Sequence, residues 1–263
     1  MPLGPTKPRS ESIAGVDRAL DVLMLFVRSK ADTLGVTEIA EEFGASKAAV
    51  HRILSTFRNR GFIELDETVH RYRLGPEILV LGLSYLDRMD LRTIARPLMT
   101  DLAARTNETV TLSVRIGWTR VYVDQVLPER DIKMMVQLGK PFPLHAGASS
   151  KALLAFMAEA DSERYLREHH LDPLTSRTVT DPERLALELA SIREKGFAVS
   201  FGERDAGAGS VAAPVFDHDG VVRGVISVSG PLDRFSAEVE QSSQGLVDTA
   251  RDVSRRLGHG HRR

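Results

Sequence analysis

The stretch from Val36 to Phe57 constrains this chain more than any other. It carries a small residue, a turn glycine and a branched apolar stripe at fixed offsets. Ala40 is followed four residues later by Gly44, then by Val50 and Ile53, with Ile39, Phe43 and Phe57 around them. Two short helices that cross closely need a small residue where they touch. The turn between them needs a residue tolerant of positive φ, and the second helix needs branched apolar side chains facing inward. The pattern predicts a helix-turn-helix, with Thr37 capping a helix over 37–43 and Ser46 capping the next. Gly61 ends that second helix. Phe62-Ile63-Glu64-Leu65 and Arg71-Tyr72-Arg73-Leu74 then read as a β-hairpin around a polar turn. An ordinary helical hairpin is the alternative, and the wing-like hairpin counts against it.

Charge enters next. The 263 residues hold 35 Lys+Arg against 36 Asp+Glu, a net −1 that by itself argues for no nucleic acid. The distribution is less even. Between Phe43 and Ile63 stand Lys47, Arg52, Arg58 and Arg60 with no acid among them. Once the inward positions are assigned, Ser46, Lys47, Ala48, His51, Arg52 and Ser55 remain for the outer face of the second helix. The N-terminal end of such a helix enters the major groove, where Arg and Lys read guanine and Ser bonds several bases or a phosphate. Arg71 and Arg73 would add contacts from the wing. A solvated basic face is the bland alternative for each residue singly; as an acid-free set they fit double-stranded DNA better.

Periodicity organises the rest. Val16, Ala19, Leu20, Leu23 and Val27 predict an amphipathic helix over 15–30. At Gly75-Pro76 another helix starts, and its stretch Ile78-Leu79-Val80-Leu81-Gly82-Leu83 is apolar nearly all round. A helix of that kind must be covered on several sides, and a second copy of the chain is the natural cover. Leu91, Ile94, Ala95, Leu98 and Leu102 mark a helix ending near Asn107. From Thr109 the pattern turns to strands (Val110, Leu112, Val114, Ile116, then Val121 and Val123), with a helix from about 147 to 157. Thr180-Asp-Pro-Glu183 is a capping-box sequence opening a helix closed by Gly196. Two strands flank Asp219-Gly220 and a last helix runs to Leu257. The expected division is a flexible arm over 1–12, a winged domain over 13–75, a linker and dimerisation helix over 76–90, an α+β domain over 91–257 and a flexible tail over 258–263.

Composition supplies exclusions. With no cysteine there is no disulfide framework, thiolate metal site or cysteine nucleophile. No run reaches the roughly 18 apolar residues of a membrane span, and the first residues lack the apolar core of a signal peptide. The expectation is a soluble, cytoplasmic protein. Catalytic patterns are missing too. Ser149 and Ser150 lie near His145 and Lys151, but there is no G-x-S-x-G elbow, and the spacing is wrong for an S-x-x-K nucleophile. Gly202–Gly209 holds neither G-x-G-x-x-G nor a phosphate-loop lysine, and the histidines form no metal motif. No enzyme activity, cofactor or metal is expected.

The ordered motifs carry a resemblance. Val16-Asp-Arg-Ala-Leu20, Val36-Thr-Glu-Ile-Ala40, Lys47-Ala-Ala-Val-His-Arg-Ile-Leu54 and Tyr72-Arg-Leu-Gly75 stand in the first part. Leu144-His-Ala-Gly-Ala-Ser-Ser-Lys-Ala-Leu-Leu154, Gly196-Phe-Ala-Val-Ser-Phe-Gly-Glu203, Val211-Ala-Ala-Pro-Val-Phe-Asp217 and Ile226-Ser-Val-Ser-Gly-Pro231 follow in the second. From Ile13 to about Leu257 the chain resembles transcriptional regulators of the isocitrate lyase regulator (IclR) family. The resemblance implies an α+β protein with an N-terminal winged helix-turn-helix domain, a dimerising linker helix and a C-terminal GAF-like effector-binding domain. It also implies homodimers, often dimers of dimers, on a roughly palindromic operator, acting as repressor or activator.

The second domain has its own reading. Ala148, Ser149 and Ser150 fall in the first turn of the helix after His145, where free N–H groups favour an anion. Ser227 and Ser229 alternate on one strand and point to one side of the sheet, with Ser210 beginning the neighbouring segment. The resemblance implies an effector pocket lined at Ala148, Ser149, Ser200, Ala208, Ser210, Ser227 and Ser229. These residues are small and hydroxylic, with no evident Arg or Lys inside, which suits a small organic acid held by hydroxyls and amides. The competing class is a metabolite-binding or enzymatic domain whose helical N-terminus serves only assembly; the acid-free helix and the wing favour the regulator.

Overall fold

The computed structural model describes residues 13–29, 31–87 and 90–260. The arm expected at 1–12 and residues 261–263 of the expected tail lie outside the described residues. Contacts divide the chain into two units, Met1–Arg88 and Met89–Arg263.

The first unit runs α1 (Ala14–Arg28), α2 (Val36–Glu42), α3 (Lys47–Asn59), β1 (Ile63–Asp66), β2 (Arg71–Leu74) and α4 (Pro76–Asp87). The strands pair antiparallel, Ile63 opposite Leu74 and Asp66 opposite Arg71. Its core is Val22, Phe26, Leu34, Ile39, Ala40, Val50, Leu54, Ile63 and Tyr72. Gly44 sits between α2 and α3 at φ +56°, the left-handed conformation that the turn demands. Ser46 caps α3 as expected, its hydroxyl accepting the Ala49 N–H at 3.2 Å.

Two local expectations are corrected. The N-cap of α2 is Gly35 and not Thr37. Leu34 and Tyr72 exchange both backbone hydrogen bonds at 2.8 Å, so the chain is pinned to the wing until Gly35 and turns helical at once. In α1 the helix forms, but of the stripe that periodicity singles out Leu23 packs against the core while most of the rest does not. Val22 and Phe26 enter the core, whereas Val16, Leu20 and Val27 are between 41 and 53% exposed. A small three-helix core has room for one face of α1, and the second apolar face is left outside. α4 goes further: Leu79, Val80, Leu81 and Leu83 are 47–63% exposed, and Ile78 is half-buried.

The second unit runs α5 (Asp90–Thr106), β3 (Thr109–Ile116), β4 (Thr119–Val126), β5 (Pro141–Pro143), α6 (Ala148–Phe156), α7 (Glu159–Glu168), α8 (Pro182–Lys195), β6 (Ala198–Phe201), β7 (Ala208–Phe216), β8 (Val222–Pro231) and α9 (Leu232–Arg256). The strands form one six-stranded sheet in the order β5-β4-β3-β8-β7-β6, antiparallel at every step. Helices cover both faces. On one, α5 and α9 pack through Met99, Leu102, Leu246 and Val253 against Leu112, Val211, Ile226 and Val228. On the other, α6, α7 and α8 pack through Leu153, Tyr165 and Leu189 against Ala198, Ala212 and Val225. β5, β6 and α7 are elements the periodicity did not single out. β5 is three residues bounded by prolines, and α7 is acidic with only Ser162 and Tyr165 buried.

The helix after Thr180 forms, but its cap is Asp181, whose carboxylate accepts the Glu183 and Arg184 N–H groups at 2.8 and 3.0 Å. A carboxylate at this position outcompetes the neighbouring hydroxyl for the same free amides. The tail expected from 258 is tied down at its start. His259 stacks on Phe216 with centroids 5.2 Å apart, and its Nδ1 lies 3.0 Å from the Asp217 carbonyl.

Candidate functional site

In the first unit, the candidate reading surface is the outer side of α3. Lys47, Ala48, His51 and Arg52 are exposed there, and Ser55 is half-buried with its hydroxyl 3.4 Å from His51 Nδ1. Ser46 also lies on the surface, its side-chain oxygen accepting the Ala49 N–H of the cap while its O–H stays free to donate. The core positions of α3, Val50 and Leu54, fix this orientation, because residues three and four apart share a helix face. Among the described residues Lys47, Arg52 and Arg60 have no acidic partner within salt-bridge distance.

The wing behaves differently. Arg71 donates to the Thr33 hydroxyl and carbonyl at 2.9 Å and to both Glu38 carboxylate oxygens at 3.1 and 2.8 Å. Glu38 in turn accepts the Gly35 N–H at 2.9 Å. That amide and the guanidinium hold the Glu38 carboxyl below its usual range. The guanidinium expected to touch DNA is therefore committed to locking the wing onto the start of α2. Arg73 is exposed and pairs with Glu64 across the hairpin at 3.0 Å, a solvated contact that exchanges readily.

In the second unit, all seven residues expected around an effector line one pocket. Ala148, Ser149, Ser200, Ala208, Ser210, Ser227 and Ser229 converge there. Strand alternation makes this possible: Ile226 and Val228 face α5 and α9, so Val225, Ser227 and Ser229 face α6. Register aligns the hydroxyls across strands. Ser229 is opposite Ser210 on β7, Ser210 is opposite Ser200 on β6, and Ser227 is opposite Thr111 on β3 with their oxygens 2.6 Å apart. The cavity they enclose is small, about 20 Å³, close to the space of one water.

α6 opens onto this pocket. Gly147 sits at φ +86°, ψ 154°, a conformation that only glycine adopts without strain, and no side chain caps the helix. The first intrahelical bond is Lys151 N–H to the Gly147 carbonyl, so the amides of Ala148, Ser149 and Ser150 have no partner within the helix. They are a donor cluster at the positive end of the helix dipole.

One expectation about the pocket is overturned. It is not free of cations, because Arg120 and Arg204 also line it, with Tyr122, Met134, Glu203 and Asp205. Arg120, on β4, is 1% exposed. Its Nε donates to Ser150 at 2.9 Å and its Nη1 to Ser113 at 3.0 Å. The guanidinium carbon lies 4.0 Å above the Tyr122 ring and 5.0 Å from that of Phe142. Burial, reinforced by Arg204, pulls its proton affinity below the ordinary guanidinium range. The reading that Val121 and Val123 give the buried side of β4 treats the other side as solvent-facing. A sheet covered on both faces buries both sets.

Lys151, beside the pocket, is fully buried. Its Nζ contacts Glu188 and lies 2.5 Å from Glu203, whose other oxygen accepts the Gly147 N–H at 3.3 Å. The histidine that a serine nucleophile would need as its base is also engaged. His145 Nδ1 is 3.3 Å from the Tyr165 hydroxyl and Nε2 is 2.9 Å from the Asp172 carbonyl, and burial pushes its pKa down. The serines of α6 have no base among these groups, and Ser150 is spent on Arg120.

Known proteins agree with this anatomy. The family description "IclR helix-turn-helix domain" matches residues 15–67, and "Bacterial transcriptional regulator IclR C-terminal" matches residues 83–255. The HTH-type transcriptional regulator BhcR of Paracoccus denitrificans is 37% identical over 246 residues, covering 93% of this chain and 88% of that protein. The crystal structure of a family regulator from Alicyclobacillus acidocaldarius superimposes with a TM-score of 0.84 at 32% identity, covering 94% of this chain and all of the other. A homologue from Microbacterium hydrocarbonoxydans, described as complexed with 4-hydroxybenzoate, shares the fold at 23% identity and a TM-score of 0.80, over 93% of this chain and 99% of its own. No helix among the described residues is long and apolar enough to cross a membrane. With both family domains in order along one chain, this protein belongs to the IclR family of helix-turn-helix transcriptional regulators.

Proposed function

We propose that this regulator binds its operator as a homodimer through α3 and that a small organic acid, bound in the pocket of the second unit, alters that affinity. It acts by binding and not by catalysis. The observation that carries the effector reading is the convergence of five serine residues and the uncapped start of α6 on one buried pocket. Hydroxyls and free amides together can satisfy a carboxylate and the polar substituents of a short chain or ring. Adjustment of the surrounding segments on binding is the kind of change that transmits a coupling of about 1–3 kcal/mol to a distant site.

The exposed apolar residues of α4 and the exposed stripe Val16–Leu20–Val27 of α1 support assembly, since clustered exposed apolar side chains mark surfaces that partners cover. Two-fold related reading helices then match half-sites about one helical turn apart, or a multiple of it. Lys47, His51 and Arg52 are the residues assigned to base and phosphate contact, with Arg73 reaching the backbone from the wing.

The test is a thermal-shift screen of small organic acids on the wild type and on Ser149→Leu, followed by operator titrations. The larger, apolar side chain in that variant fills the space at the amide cluster. An effective acid should stabilise the wild type and change its operator affinity, while the variant binds DNA normally and ignores the acid. Equal stabilisation of both proteins would move the effector away from this pocket.

A further inference from the structure

Arg120 poses a problem that the fold alone does not solve. A guanidinium that is 1% exposed would be compensated by a carboxylate in an ordinary protein interior. Here the groups that meet it are the hydroxyls of Ser113 and Ser150 and the faces of two aromatic rings. No described acid lies within salt-bridge distance of it. Of the two carboxylates that line the pocket, one is held elsewhere and the other is exposed. Glu203 is held by Lys151 and by the Gly147 amide, and the exposed Asp205 accepts the Gly207 N–H at 3.0 Å.

A second cation adds to the imbalance. Arg204 approaches from the segment between β6 and β7, its guanidinium carbon 4.9 Å from the Phe142 ring and 5.7 Å from that of Tyr122. Two guanidinium groups from separate segments thus share one aromatic pair. Like charges brought together in a low-dielectric setting repel, and rings offset that only in part. An anion between them and the α6 amides would remove the cost. Both arginines, Ala148 and Ser149 line the same pocket.

We propose that Arg120 is the specificity-determining cation of the effector pocket, selecting a ligand with a carboxylate that pairs with its guanidinium while Arg204 closes over the same group. This rests on the effector reading above and deepens it. The serines recognise the ligand's hydroxyl or oxo substituents. Arg120 decides that the ligand is an anion and not its neutral analogue. The planar guanidinium fork matches a carboxylate in a way that a lysine ammonium does not.

The experiment measures binding to the full chain by calorimetry and thermal shift for carboxylates and their primary amides: glycolate and glycolamide, pyruvate and pyruvamide, lactate and lactamide, benzoate and benzamide. The acid of an effective pair should bind at least about 30-fold more tightly than its amide, the scale of leaving a buried charge unpaired. Arg120→Gln should erase that preference, lowering acid affinity by a similar factor and leaving amide affinity within about threefold. Arg120→Lys should restore part of the preference. Circular dichroism checks that the variants fold; should Arg120→Gln not fold, the charge-conserving Arg120→Lys carries the comparison, and an acid preference equal to that of the wild type there would count against the guanidinium.

Equal binding of acid and amide, or acid affinity unchanged in folded Arg120→Gln, would overturn the proposal. So would binding of amides alone. Each of those outcomes leaves an effector-responsive pocket standing if the bound compound still shifts operator affinity and Ser149→Leu still abolishes the response. Should no compound, charged or neutral, bind, the effector reading falls and this assignment falls with it.

Discussion

Replacing Lys151 by Met should be among the most damaging single changes in the second unit. The Nζ is fully buried between Glu188 and Glu203, whose side chains are 33% and 10% exposed. Methionine fills much the same volume, so the loss is electrostatic and not a cavity. Removing one partner of a buried ion group leaves an uncompensated charge and costs about 3–5 kcal/mol. Glu188 can turn toward water, which places the expectation near 3 kcal/mol, carried by Glu203. For a unit of this size each kcal/mol moves Tm by roughly 2–4 °C, so the drop should be about 6–12 °C. Adding Glu203→Gln to the lysine variant removes the stranded charge and should recover at least half of that loss. Thermal unfolding followed by circular dichroism reads both numbers. A Tm for Lys151→Met within about 2 °C of wild type, or effects of the two changes that simply add, would mean that the triad is not an energetic unit.

The other predictions concern DNA, assembly and pH. Arg52→Ala should weaken operator binding by roughly 1–3 kcal/mol, with affinity falling by about 0.9 log unit per decade of salt for each phosphate neutralised; unchanged affinity in a folded variant would take α3 out of the reading role. Leu81→Asp in α4 should convert a dimer to monomer in sedimentation at micromolar concentration, and a wild type already monomeric there would end the dimer reading. His145 has a folded pKa below its usual 6.5, so as pH falls below about 6.5 the unfolded chain takes up a proton that the folded one refuses, and stability declines. Burial raises the Tyr165 hydroxyl to about 12, so stability should also fall as pH rises from 10 toward 12; Tyr165→Phe should flatten the alkaline limb of a Tm–pH profile.

What could be read from the sequence follows from how local each signal is. Ala40, Gly44, Val50 and Ile53 encode a crossing of two short helices within 14 residues, and the observed φ of Gly44 and burial of Val50 are what that crossing requires. Ser46 as a cap is similarly local. The face of α1 was not legible in the same way. Val16-Leu20-Val27 and Val22-Phe26 are both helical stripes, and only the tertiary core decides which one packs. The choice of Gly35 over Thr37 depends on the bridge between Leu34 and Tyr72, whose partners stand 38 residues apart. No window of the sequence contains that information. The ties of Arg71 were hidden for the same reason, since its partners Thr33 and Glu38 come from before α3 and it comes from after.

The pocket shows how a sequence can bring residues together legibly and still hide the charge among them. Its serines were recognisable because strand alternation puts Ser227 and Ser229 on one face, and because α6 begins beside them. Arg120 lies 28 residues before that helix, in a strand whose valines advertise the opposite face as the core. Treating its own face as solvated is the natural inference for an antiparallel sheet with one covered side. Here α6, α7 and α8 cover the second side, so a residue type that seldom enters an interior is taken in with β4. The fold can tolerate the cost because Ser113 and Ser150 accept two of its hydrogen bonds and Tyr122 lies beneath it. Hydroxyls and rings stabilise a guanidinium only in part, and what they leave over is an attraction for any anion that reaches the pocket. A pocket built that way favours an anion by offsetting a cost already present in the fold, and on the proposed effector reading its serines decide which carboxylate it takes.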